Sequence, residues 1–128
     1  MLDKKNAFVL MPFKEPYNSY YDSIYKPALE DAGYKVSIVK DLYESRPVID
    51  EIQKSILASD LILCEMSTRN ANVFYELGLA HAIGKPAILV SQEGDIPFDL
   101  QHIKTFLYDE KKLGWQNELR NAITTSAS

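Results

Sequence analysis

One stretch of the chain, Ser67–Ile83, has residues whose types and spacing could do chemistry. From Val73 to Ile83 the single carboxylate is Glu76, in a helical pattern that is otherwise apolar or aromatic apart from one histidine. A helix that is apolar on most sides is buried on most sides, and a carboxylate held there could act as a nucleophile or stabilise a positive charge. The alternative is that Glu76 only interacts favourably with the positive end of the helix dipole, and both interpretations stay open.

The other polar residues around this stretch have structural interpretations beside the functional ones. Asn72 lies four residues before Glu76 on the same stripe and is predicted to orient it or a bound hydroxyl. Asn70 and Asn72 could equally be helix caps. His81 falls on a different face, which favours a packed or hydrogen-bonded histidine. The tyrosine-rich segment 17–25 is predicted to be half core, with one or two rings facing the site.

Composition excludes several classes of function. Lys plus Arg number 14 and Asp plus Glu number 18, a net charge of −4, which disfavours a general nucleic-acid or anionic-membrane binder. One cysteine, Cys64, and two histidines predict no disulfide, no structural zinc and no metal site. Cys64 lies in an apolar run and is interpreted as inert core. The absence of a long apolar stretch or signal-peptide pattern predicts a soluble cytoplasmic protein.

The glycines exclude the common phosphate-binding loops. The first turn after a predicted strand is Met11–Pro16, which contains no glycine, and none of the five glycines builds a phosphate cradle. The dinucleotide fingerprint and the Walker A loop are both missing. Kinase-like and dehydrogenase functions are therefore disfavoured.

The elements that must position Glu76 follow from short apolar runs alternating with helical patterns. Continuous apolar runs are typical of strands covered on both faces. The order β-α-β-α-β-α-β-loop-β-α predicts a flavodoxin-like three-layer α/β sandwich, whose five-stranded parallel sheet has the order 2-1-3-4-5 and carries its site at the carboxyl ends of the strands. We expect one domain over residues 1–128, with 124–128 frayed. The five runs are Ala7–Met11, Val36–Val39, Leu61–Cys64, Ala87–Val90 and Thr105–Tyr108.

The helices are predicted between these runs. The first is expected to stop at Gly33, with a kink or a late start at Pro27. The third is expected to run to Ile83, and Gly78 in its interior is attributed to close packing on the sheet. The last is expected to begin at Asp109, with Leu113, Leu119 and Ile123 on its buried side.

Three blocks of the sequence together resemble a known group. They are Phe8–Phe13, Asn70–Ala82 followed by Gly84-Lys85-Pro86, and Pro97–Leu100. The chain resembles the nucleoside 2-deoxyribosyltransferase-like and TIR-like group of small bacterial proteins over about residues 6–108. The resemblance implies a flavodoxin-like domain acting on N-glycosidic bonds, with Glu76 matching the nucleophile of the transferases. It differs from the pattern at Asn70 and Glu65, where relatives carry aspartate.

The resemblance leads to a first hypothesis and two alternatives. The first is an enzyme that cleaves or transfers at the N-glycosidic bond of a nucleoside or nucleotide, with NAD a candidate substrate rather than a cofactor. A non-catalytic nucleotide-binding or signalling module, which assembles on ligand binding, is the second. The third is an interaction domain using exposed tyrosines such as Tyr43 or Tyr108. Completion of the site across subunits, as in related transferases, implies a homo-oligomer.

The first hypothesis assigns candidate residues to two roles. Glu76 and Asn72 are the catalytic candidates. The substrate-binding candidates come from the ends of the predicted strands and from the loop before the fifth strand. They are Met11, Pro12, Phe13, Asp41, Ser67, Asn70, Phe98 and Asp99.

Overall fold

The core of the fold is one five-stranded parallel sheet. The structure is a computed structural model that describes residues 4–38, 49–92 and 105–128, without the side chains of 49–52. Every strand pairing is parallel, and the order is β2-β1-β3-β4-β5. This confirms the predicted flavodoxin-like sheet. The strands are β1 Lys5–Leu10, β2 Tyr34–Ile38, β3 Leu61–Glu65, β4 Ala87–Gln92 and β5 Thr105–Tyr108.

Helices cover both faces of the sheet. After β1 come α1 and α2, joined by a π-helical turn; α3 precedes β3; α4 follows β3 after a 3₁₀ turn; α5 follows β5. The helical segments are α1 Tyr17–Tyr20, the π turn Tyr21–Tyr25, α2 Lys26–Asp31, α3 Ile49–Ala58, the 3₁₀ turn Ser67–Arg69, α4 Ala71–Ala82 and α5 Trp115–Ala127.

Successive residues of each central strand point to opposite faces and build two separate cores. Leu61 and Leu63 pack with α1, α2 and α5 on what we call the α5 face. Ile62 and Cys64 pack with α3 and α4 on what we call the α4 face. All five residues of β3 are buried, because this strand is covered on both sides. Glu65, the last of them, is therefore a carboxylate inside the protein.

The first helical segment runs through Pro27 rather than starting late. Pro27 has no N–H to donate to the carbonyl four residues earlier, and the chain accommodates this with the π turn Tyr21–Tyr25 immediately before it. The π turn places Tyr25 on the α5 face, where it is fully buried. The predicted irregularity is thus present, as a π-helical turn that ends two residues before Pro27.

The end of the chain is ordered, contrary to the predicted fraying of 124–128. Helix α5 continues to Ala127, which is 9% exposed, and the Thr124 hydroxyl donates to the carbonyl of Ala28 at 3.0 Å. The start of this helix was also predicted wrongly. Gly114, in the left-handed region at φ 81°, precedes Trp115, and Leu113 is 98% exposed rather than buried.

The direction in which the helices leave the sheet changes between its two central neighbours. The chain after β1 turns to the α5 face, whereas the chain after β3 turns to the α4 face. Such a switch point leaves a crevice at the carboxyl ends of the two strands, where ligands bind in open α/β sheets.

In the described part of the chain no helix has the length and apolar character needed to span a bilayer.

Candidate functional site

The switch point predicts a ligand site between the segment after β1 and the turn after β3. Met11 and Pro12 are buried at the end of β1, with Met11 3% exposed. Phe13 is partly buried and packs against the cores of both faces. It therefore sits where the two faces meet. These three residues occupy the position that the sequence predicts for a substrate-lining loop.

Glu76 is buried on the sheet-facing side of α4. It is 3% exposed, and its neighbours Val73, Leu77 and Ala80 belong to the core of the α4 face. Burial raises the pKa of the Cys64 thiol well above its ordinary value, and the negative charges of Glu65 and Glu76 raise it further. Glu76 thus lies within electrostatic reach of Cys64 on this face of the sheet.

The helix dipole is a weak explanation for this acid. Glu76 is the sixth residue of α4, and the first turn of the helix contains no acidic residue. The favourable interaction of a carboxylate with the helix start falls off within the first turn. The helix dipole therefore does not account for the position of this carboxylate.

Asn70, and not Asn72, caps α4. The Asn70 side-chain oxygen accepts hydrogen bonds from the backbone N–H of Asn72 at 2.9 Å and of Val73 at 3.2 Å. Asn72 is exposed in the first turn, and its backbone makes the capping bond. The prediction that Asn72 orients Glu76 is not supported, because one side chain faces solvent while the other is buried.

The turn from β3 to α4 is conformationally strained. Thr68 and Arg69 have φ values of 69° and 51°, so two consecutive residues with side chains occupy the left-handed region. Each such residue costs about 1–2 kcal/mol and persists only where its surroundings hold it. Strain of this kind concentrates at functional sites. Here it lies at the carboxyl end of β3, beside the crevice.

A buried hydrogen-bond network surrounds Glu65 on the α5 face. The hydroxyl of Tyr25 donates to Glu65 Oε2, and that of Tyr108 donates to the same oxygen at 2.8 Å. The backbone N–H of Ser67 donates to Glu65 Oε1 at 2.9 Å. Glu65 and Ser67 are both 0% exposed. We call these residues, together with Gln92, the Glu65 network.

The hydroxyl of Ser67 donates to Tyr108. Because the single hydroxyl hydrogen of Tyr108 goes to Glu65, the Ser67 hydroxyl must donate across the 3.2 Å to Tyr108 Oη. Ser67 Oγ in turn accepts from the backbone N–H of Gln92 at 2.9 Å. The order Gln92, Ser67, Tyr108, Glu65 is a directed chain from the end of β4 to the end of β3.

The network continues outward to Glu110. The side-chain amide of Gln92 donates to Glu110 Oε1, and the hydroxyl of Tyr20 donates to Glu110 Oε2. Tyr20 also packs edge-on against Trp115, with ring centroids 4.9 Å apart. The tyrosine-rich segment therefore supplies both core and polar contacts on the α5 face, and two of its hydroxyls bond carboxylates.

Burial controls the protonation of the network. It raises the pKa of the Glu65 carboxyl above its ordinary value, although hydrogen bonds from Ser67, Tyr25 and Tyr108 act in the opposite direction. Burial, followed by the charge of Glu65, also raises the pKa of the Tyr25 and Tyr108 hydroxyls. Both tyrosines remain protonated donors throughout the physiological range.

Several predicted residues lie elsewhere than expected. Ser67, predicted to contact substrate, is fully buried, and its hydroxyl makes hydrogen bonds within the protein. Tyr108, predicted as an exposed assembly residue, is 4% exposed. His81 is exposed rather than packed, and a Cβ built on Gly78 would meet open space rather than the sheet.

Four predicted residues lie outside the described part of the chain. They are Asp41, Tyr43, Phe98 and Asp99. Their assignments to sugar, base or partner contacts stay predictions. Within the described residues no group of three or more His, Cys, Asp or Glu side chains is arranged to hold a metal ion.

The Glu65 network was missed by sequence reasoning. A signal for it exists: β3 reads Leu-Ile-Leu-Cys-Glu, an apolar strand that ends on a carboxylate before another apolar residue, Met66. A carboxylate there must be buried and needs donors. Which donors it finds depends on the π turn that aims Tyr25, and local patterns do not reveal that geometry.

Comparison with known proteins places the fold. Neither a protein-family model nor a curated protein matches the sequence. Among solved structures, the chain is similar to the TIR domain of the Toll-related receptor TRR-2 from the lower metazoan Hydra magnipapillata. The TM-score is 0.67 at 16% identity, over 93% of this chain and 98% of that one. This confirms a TIR-like fold; the deoxyribosyltransferase-like part of the resemblance stays a prediction.

Proposed function

We propose that this protein cleaves or transfers at the N-glycosidic bond of a nucleoside or nucleotide, with Glu76 as its catalytic carboxylate. The observation that carries the proposal is the burial of Glu76, 3% exposed, on a helix that starts at the switch point of the sheet. Glu76 lies beyond the first turn, so the helix dipole does not account for its position. The Asn-Val-Phe-Tyr-Glu-Leu-Gly segment of the sequence supports the same assignment by resemblance.

Cleavage of an N-glycosidic bond requires one carboxylate placed beside the anomeric carbon. As the bond between the anomeric carbon and the base nitrogen breaks, the base leaves with the bonding electrons and the sugar becomes cation-like. Glu76 either stabilises that cation or bonds to the anomeric carbon as a glycosyl ester. Water or a second base then attacks the same carbon and gives up its proton to the departed base or to the solvent. Where an ester has formed, its bond to Glu76 breaks in this step. NAD is a candidate substrate here, with nicotinamide as the leaving base.

The residues around Glu76 have separate roles in this proposal. Phe13 provides an apolar wall for the base at the junction of the two faces, with Met11 and Pro12 behind it. Asn70 acts on the site through its cap on α4. Asn72 and Ser67 are given no contact with the substrate. Asp41, Phe98 and Asp99 keep their predicted contacts with sugar and base.

A homo-oligomer belongs to this proposal. A crevice at one edge of a 128-residue domain encloses a nucleotide on few sides, and a second subunit would complete it. Sedimentation analysis with and without ligand tests this part. A monomer that turns over substrate at full rate would remove the oligomer from the proposal and leave Glu76 untouched.

A second candidate function is a nucleotide-binding signalling module without turnover. The similarity to the TIR domain of a receptor favours it, since that domain belongs to a receptor chain. In this case Glu76 would only accept a hydrogen bond from a sugar hydroxyl, and ligand binding would drive assembly.

One experiment separates the two functions. The protein is incubated with NAD, nucleotides and a panel of deoxynucleosides, and released base or nicotinamide is followed beside a thermal-shift measurement. Product formation supports the enzyme. A thermal shift without product supports the binding module, because a ligand that binds only the folded state raises its stability. The absence of both product and thermal shift would contradict both functions.

A further inference from the structure

The strained turn between β3 and α4 is fixed on both sides. On its far side Asn70 is locked by the cap on α4. On its near side Met66 donates its N–H to the carbonyl of Val90 at 2.8 Å, which continues the pairing of β3 with β4. Between these anchors, Thr68 and Arg69 hold left-handed conformations that their side chains disfavour. The residue that joins the strand to this strained pair is Ser67.

Ser67 is held by the Glu65 network. Its N–H donates to Glu65 Oε1 at 2.9 Å, and its hydroxyl oxygen accepts from the N–H of Gln92 at 2.9 Å. Its hydroxyl also bonds Tyr108, which itself is bonded to Glu65. Two of the three paths from Ser67 to the rest of the protein thus lead to Glu65. Losing this acceptor would break the bond to the Ser67 N–H and leave Tyr108 without its own acceptor, while Met66 stays paired with Val90 and Gln92 stays bonded to Ser67. The near side of the turn would therefore be loosened.

We infer that Glu65 is a positioning residue which, by fixing Ser67, holds the left-handed Thr68–Arg69 turn and thereby sets where α4 begins and where Glu76 lies. Glu65 is assigned no ligand contact, because both of its oxygens accept hydrogen bonds within the protein, whereas Glu76 faces the sheet from α4. The consequence for catalysis rests on the proposed function. The consequence for the geometry of α4 does not.

Three substitutions separate the acceptor from the charge. Glu65→Leu removes every acceptor and leaves the Ser67 N–H and two tyrosine hydroxyls facing an apolar side chain. Glu65→Gln removes the charge but keeps a carbonyl oxygen for the Ser67 N–H. Tyr25→Phe removes a donor from Glu65 and leaves the bond to Ser67 in place. The last variant is the matched control, since it also deletes one buried hydrogen bond.

The test uses nuclear magnetic resonance of the whole chain. Amide exchange is measured over residues 67–73, relative to each variant's own global unfolding, together with the carboxyl carbon signal of Glu76. In Glu65→Leu we expect protection of these amides to fall about tenfold, as loss of a bond to a charged group implies, and the Glu76 signal to move. In Glu65→Gln and Tyr25→Phe both are expected to stay near wild type.

Two results would overturn the inference. Unchanged exchange and an unmoved Glu76 signal in Glu65→Leu would show that the turn holds itself. An equal movement of the Glu76 signal in Glu65→Gln would show that charge, and not the turn, connects the two acids. If Glu65→Leu does not fold, Glu65→Met, flexible and equally without an acceptor oxygen, replaces it.

The proposed function and this inference fail separately. Turnover or ligand binding is measured on the same variants. If the wild type shows neither, while Glu65→Leu still loosens residues 67–73 and moves the Glu76 signal, the positioning role stands and the proposed function falls. If Glu65→Leu keeps wild-type exchange while turnover depends on Glu76, the positioning role falls alone.

Discussion

Tyr108 donates its hydroxyl hydrogen to Glu65 Oε2 at 2.8 Å, joining the last residue of β5 to the last residue of β3 across the strand between them. Both residues are buried, 4% and 0% exposed. The carboxyl end of the sheet is thus tied together by side chains beyond the point where the strand pairing of β5 stops.

Removing the Tyr108 hydroxyl is expected to destabilise the fold. Tyr108→Phe loses the bonds to Glu65 and Ser67 and leaves a buried acceptor with one donor fewer. We expect the free energy of unfolding to fall by about 2 kcal/mol, as for other bonds to buried charged groups. Urea denaturation measures it. Tyr75→Phe, at a residue 57% exposed, is the control and is expected to change little. Equal effects would contradict the network's role in stability.

Glu65 is expected to make the protein less stable as the pH rises through the weakly acidic range. Burial raises its pKa in the folded state above the ordinary 4.5, so the folded state holds this proton more tightly than the unfolded chain. Its contribution is fully present below 4.5 and is lost as the pH rises through the raised folded pKa. Urea denaturation of wild type and Glu65→Gln is compared across this range. A wild-type advantage that grows with pH would mean a lowered pKa.

The buried tyrosines predict sensitivity to alkali. Burial, then the charge of Glu65, raises the pKa of Tyr25 well above the ordinary 10.0, so its contribution to stability is present below that pH and lost above it. Tyr25→Phe is expected to lose less stability than wild type on going above pH 10.0. Unfolding and tyrosinate absorbance are followed together. Tyrosinate forming at Tyr25 before unfolding would contradict its burial.

Two exposed glycines form a matched pair. A Cβ at Gly78 or at Gly33 meets nothing within 4 Å, but Gly33 has φ +98° and Gly78 lies outside the left-handed range. Gly78→Ala is expected to stabilise the protein by about 1 kcal/mol through helix propensity. Gly33→Ala is expected to destabilise it by about 1 kcal/mol through left-handed strain. Thermal unfolding distinguishes them, and a loss of stability in Gly78→Ala would reveal a contact at this face of α4.

Much of the fold could be read from local patterns. Continuous apolar runs identify strands such as β3, since burial on both faces removes alternation. Asn70 before an apolar helical pattern is a recognisable cap, and the structure shows that cap. Alternating strands and helices leave few topologies, so the strand order follows. These features depend on short-range rules.

The features that were missed depend on tertiary geometry. The pairing of Tyr25 with Glu65 spans 40 residues and needs the π turn to aim the ring. The ordered end of α5 depends on Thr124 reaching Ala28, 96 residues away. Gly78 was predicted to pack on the sheet because glycine is unfavourable in a helix interior, but the space around it is open, which depends on the tertiary structure. The spacing of residues along the sequence does not reveal these long-range contacts.

Release of base or nicotinamide by Glu76→Gln, measured beside wild type on the same substrate panel, tests the proposed function most directly. Glu30→Gln, at an exposed acid of α2, is the matched control for loss of a carboxylate. With the variants folded as wild type, we predict a fall of at least about a hundredfold for Glu76→Gln and none for Glu30→Gln. Undiminished turnover in Glu76→Gln would contradict the role of Glu76.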